Sequence, residues 1–64
     1  MQIIEAKDWK EVFSSEPMGT SMQSYQGREI DECQRLFKER WGFECEKAYH
    51  FGTTYVLVAK MENE

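Results

Sequence analysis

The chain has 64 residues, twelve of them acidic and eight basic, for a formal charge of −4 and a pI near 4.9. So short a chain buries only about 60% of the surface it exposes when unfolded, so nearly every large apolar residue is needed for the core. The acidic balance and scattered bases argue against phosphate-backbone binding, which draws on clustered Lys and Arg, and no apolar run approaches the roughly 20 residues of a membrane span.

The chain reads as one globular domain over residues 1–64. Its first residues, Met1-Gln2-Ile3-Ile4-Glu5, lack the basic start and long apolar stretch of a secretory signal. A cytoplasmic location is expected. Ile3-Ile4 suits a short strand.

Two readings compete for the next segment. Asp8-Trp9-Lys10-Glu11 has the form of a capping box, which would put Trp9, Val12 and Phe13 on one face of a short helix. Alternatively, Trp9, Glu11 and Phe13 alternate as a strand, with Thr20 to Tyr25 returning antiparallel across a turn at Pro17. The strand reading is preferred. Ser14-Ser15-Glu16-Pro17-Met18-Gly19-Thr20 is the clearest loop, with Pro and Gly spaced as a turn requires.

The spacing of Ile30, Cys33, Phe37 and Trp41, with Leu36 beside them, predicts an amphipathic helix over residues 28–41. Asp31, Glu32, Arg35, Lys38 and Glu39 occupy its polar face, and Asp31–Arg35 and Arg35–Glu39 are i,i+4 opposites. Acids lie early and bases late, as the helix dipole favours. Gly42 supplies the left-handed closing residue.

Residues 43–60 predict a β-hairpin turning at Gly52-Thr53, with His50 opposite Tyr55 and Ala48 opposite Leu57. Alternation then places Phe43, Cys45, Tyr49, Phe51, Val56 and Val58 on one face, read as the core face that receives the helix. The other face holds Glu44, Glu46, Ala48, His50, Tyr55, Leu57 and Ala59. Lys47 falls among the core-facing residues and breaks the pattern, so it either snorkels to the edge or marks another register.

Chemical constellations are weak. Cys33, Cys45 and His50 are the only soft or imidazole ligands, their spacing fits no zinc motif, and alternation sends Cys45 and His50 to opposite faces. No metal and no cofactor are expected. Cys33 lies in an apolar helical stripe, where a thiol behaves as a small hydrophobe. Thiol catalysis needs a base beside the sulfur, and two reduced cysteines are the expectation. Asp31-Glu32, Glu44/Glu46 and Glu62/Glu64 read as solvated surface, and a non-enzyme is expected.

Tyr49, Phe51 and Tyr55 near the hairpin tip could stack unpaired bases, but the aromatic-rich strand motifs of RNA-binding modules are absent and Glu44 and Glu46 would repel phosphates. The second hairpin face is too apolar for open solvent, which makes Ala48, His50, Tyr55, Leu57 and Ala59 a candidate contact patch for another protein.

The expected fold is therefore α+β, one amphipathic helix on a small antiparallel sheet made of the hairpin and N-terminal strand or strands. The expected function is a small acidic protein-binding module. In size, acidity and lack of catalytic residues it resembles the short inhibitors and regulators that phages and mobile elements direct at host proteins, a likeness of type that no motif carries. The alternatives are a nucleic-acid-associated regulator and a homodimer joined through the second hairpin face.

Overall fold

In the computed structural model, which describes residues 1–16 and 19–60, the ambiguity after Asp8 is decided for helix. The element order is β1 (Gln2–Glu5), α1 (Trp9–Ser15), β2 (Thr20–Gln26), α2 (Ile30–Trp41), β3 (Lys47–Phe51) and β4 (Thr54–Lys60). The capping box closes: the Glu11 amide donates to Asp8 Oδ1 at 3.0 Å, and the Lys7 amide donates to Glu11 Oε1 at 2.8 Å. The first bond satisfies an orphaned amide of the helix and the second ties the residue before the cap, and together they outweigh the alternation of Trp9, Glu11 and Phe13. The turn expected at Pro17-Met18 lies outside the described residues.

Helix α2 starts at Ile30, two residues later than expected, and ends as the sequence requires. Gly42 has φ +88° and its amide donates to the Lys38 carbonyl at 2.7 Å. A first-turn ion pair joins Arg28 to Glu32 at 2.7 Å. The hairpin register is the expected one, with His50 opposite Tyr55 and Ala48 opposite Leu57. Gly52 has φ +61°, the left-handed residue that a two-residue hairpin turn needs at its first position.

The fold is α+β, with the strands ordered β1-β3-β4-β2. The sheet is mixed rather than antiparallel throughout, because β1 pairs with β3 in parallel while β3–β4 and β4–β2 are antiparallel. Strand β2 therefore runs parallel to both β1 and β3, and each helix is a crossover between parallel strands. One crossover travels from the β1 edge to the β2 edge and the other travels back. Crossovers of one hand that travel in opposite directions fall on opposite faces of the sheet.

Both faces are accordingly covered. On one, Cys33 and Phe37 of α2 pack with Ala48, Leu57 and Ala59, flanked by Tyr25, Ile30, Trp41, Cys45 and Tyr55. On the other, Val12 of α1 packs with Tyr49, Val56 and Val58, flanked by Ile4, Ala6, Met22 and Phe51.

The strand residues divide between the two faces as alternation predicts, but α2 covers the opposite face from the one expected. Helix α2 lies on the Ala48–Leu57–Ala59 face, where two alanines leave room for the ring of Phe37. Phe43 and Cys45 precede β3 and do not follow its alternation: Phe43 meets Phe37 edge-on at 6.2 Å. No helix among the described residues is long and apolar enough to cross a membrane.

Leu57 has no exposed surface. Leu57→Ala should lower the unfolding free energy by about 3 kcal/mol, against under about 1 kcal/mol for the exposed Ile3→Ala, in urea titrations followed by tryptophan fluorescence. Equal losses at the two positions would contradict this packing.

Candidate protein-binding surface

Helix α1 is only seven residues long and fully buries a single side chain, Val12. Residues three and four apart on a helix share a face, so Trp9 and Phe13 stand together, with ring centroids 5.3 Å apart and planes 25° from parallel. Phe51 of β3 meets the same indole edge-on at 5.4 Å. Phe51 is half-buried, whereas Trp9 is 39% and Phe13 58% exposed. The result is a preformed aromatic ridge along the outer side of α1.

The end of α1 is tied to the sheet by a polar cluster. Glu16 follows the helix with its carboxylate almost fully buried, 2.9 Å from Lys47 Nζ, and it also accepts the phenolic proton of Tyr49. The Lys47 ammonium lies 5.7 Å from the centre of the Tyr49 ring. This accounts for the lysine among core-facing residues: it neutralises a carboxylate that the fold buries. The Glu16 hydrogen bond and charge hold the Lys47 proton above its usual range. Burial, then the bond to Glu16, raises Tyr49.

The contact patch expected on the second hairpin face is corrected. Ala48, Leu57 and Ala59 are sealed beneath α2, at 0%, 0% and 3% exposure. They offer a partner no surface, because the β2–α2–β3 crossover brings α2 over them. Only His50 and Tyr55 of that group remain half-exposed, with rings 4.7 Å apart and the imidazole Nδ1 3.0 Å from Glu5 Oε2 on β1.

The rings considered for base stacking do not form one platform. Tyr49 is 3% exposed, Phe51 lies under Trp9, and Tyr55 is on the opposite face.

Both cysteines are free thiols. Cys33 is fully buried on the sheet-facing side of α2, and Cys45 lies half-buried with its sulfur 3.1 Å from that of Met1. Burial raises both thiols, which keeps them protonated and weakly nucleophilic at neutral pH. Among the described residues no three His, Cys, Asp or Glu side chains gather as metal ligands. Of the carboxylates expected at the solvated surface, Glu32 meets Arg28 and Glu44 lies 3.7 Å from Lys38, while Glu62 and Glu64 lie outside the described residues.

Comparison with protein-family models, with curated proteins and with solved structures returned no match. The surface is read from its own geometry.

The Tyr49 and Lys47 shifts act on stability with the same sign. Each group keeps its proton in the fold beyond the unfolded values of 10.0 and 10.5. The stabilisation is whole at neutral pH and fades as pH climbs from about 10 through the folded values. Urea midpoints between about pH 8 and pH 11 should therefore fall more steeply for the wild type than for Tyr49→Phe. Parallel curves would mean that the fold does not hold the Tyr49 proton beyond its unfolded value.

Proposed function

We propose that this chain is a non-enzymatic protein-binding module whose contact surface is the aromatic ridge of Trp9 and Phe13, backed by Phe51. The observation that carries this reading is the 58% exposure of Phe13 while it is stacked on Trp9. Large aromatic rings supply most interface anchors, and a pair already stacked loses little freedom when a partner closes over it. Among the described residues Phe13 is the most exposed large apolar side chain, ahead of Met1, Ile3 and Phe43.

The fitting partner is a protein with an apolar recess rimmed by cations. A net charge of −4 steers the whole chain toward such a surface, while at the ridge itself Asp8 and Glu11 are balanced by Lys7 and Lys10. The module brings contact and no chemistry, so its effect is to occupy a surface of its partner, as an inhibitor or regulator does. A nucleic-acid role through the hairpin aromatics has less support, because those rings are divided between two sheet faces and Tyr49 is engaged by Glu16.

Phe13→Ala should cost under about 1 kcal/mol of stability while weakening partner binding at least about tenfold. The test uses wild-type and Phe13→Ala baits side by side on lysate of the source cell, with nuclease present. A stoichiometric protein kept by the first and lost by the second supports the reading. Equal retention excludes the ridge, and the absence of any retained protein counts against the module itself.

A further inference from the structure

Strand β2, Thr20–Gln26, forms one edge of the sheet. Its seven residues carry no charge and no proline, and they pair with β4 through seven consecutive partners without a bulge. Edge strands are ordinarily kept from pairing with other chains by lysine, proline, a bulge or short length. The opposite edge, β1, has four residues and ends in Glu5. Strand β2 has none of these protections.

A second observation lies on the same strand. Ser21 is 1% exposed, yet among the described residues its hydroxyl has no hydrogen-bond partner. It lines a cleft of about 360 Å³ with Trp41, Phe43 and Ala59, and the Trp41 indole N–H is also buried without a partner. Buried polar groups without partners are uncommon. Both can donate, so the missing group is an acceptor. Glu44, Glu46 and the single cation Lys60 complete the lining, so the two acids outweigh one base and disfavour a carboxylate. An uncharged carboxamide meets the requirement.

The strand itself carries one at the right place. If a second copy adds antiparallel to β2 about a two-fold axis at Met22, its Gln23 falls opposite Ser21. Directly opposed residues share a face. Ser21 is paired with Ala59, so that face is the one bearing α2 and the cleft.

We propose that the β2 edge is a homodimer interface, with two copies joined antiparallel about Met22 into one continuous sheet and the Gln23 carboxamide of each entering the other's cleft. The seam is uncharged, so the repulsion between two acidic chains acts from a distance and is screened by salt. An axis normal to the sheet places both α1 ridges on the same side, which makes the dimer a bivalent version of the proposed module. The dimer itself stands on the strand and the cleft and does not need the ridge to be a binding surface.

Sedimentation equilibrium from about 1 μM to 1 mM should give a monomer–dimer equilibrium that tightens as salt is added. Ser24 is exposed on β2, so Ser24→Lys should abolish the dimer and leave unchanged the melting temperature measured at about 1 μM, where the wild type is mostly monomeric. Gln23→Leu should weaken it about tenfold, and Phe13→Ala should not affect it. A monomer at every concentration overturns the proposal and leaves the edge to a strand of another protein. A dimer indifferent to Ser24→Lys overturns it as well. A dimer lost with Ser24→Lys but unmoved by Gln23→Leu overturns the Met22 register.

Discussion

Strand β4 is buried on both of its faces, and the rest of the molecule is arranged around that. Val56, Leu57, Val58 and Ala59 are each exposed by 3% or less, although successive side chains point to opposite sides of the sheet. A single helix can cover only one side. Two crossovers running in opposite directions across the sheet supply the second, so α1 and α2 each bury one half of β4. Parallel pairing of β1 with β3 is what makes the first segment a crossover instead of a hairpin arm.

The two covers are unequal. Twelve-residue α2 brings Cys33 and Phe37 into the core and caps its end through Gly42. Seven-residue α1 brings only Val12 and depends on polar ties at both ends. The capping box holds its start, and the buried Glu16 carboxylate, clamped by Lys47 and Tyr49, holds its finish. A charge buried in so small a domain is tolerable because its partners come from the adjacent strand. The shortness of α1 also leaves Trp9 and Phe13 at the surface. The weaker cover and the aromatic ridge thus have one cause.

The molecule presents two surfaces of different character. The ridge on α1 is apolar, rigid and aromatic, and suits a recess on another protein. The β2 edge is uncharged and offers backbone hydrogen-bonding groups, and suits another strand. They lie on different elements of the fold, the ridge on α1 and the edge on β2.

Local order was legible in the chain itself. Gly42 and Gly52 sit where a helix must close and a hairpin must turn, and the apolar spacing from Ile30 to Trp41 produces α2 because those preferences act within a few residues. The hairpin register and the sorting of its residues into two faces follow from the turn and the two-residue period. The uninterrupted apolar run Tyr55–Ala59 also carried a signal of two-sided burial, which a one-helix reading passes over. Which face α2 covers was not legible, since it depends on strand order and crossover hand, relations among segments far apart in the chain. The same holds for Lys47, whose reason is Glu16.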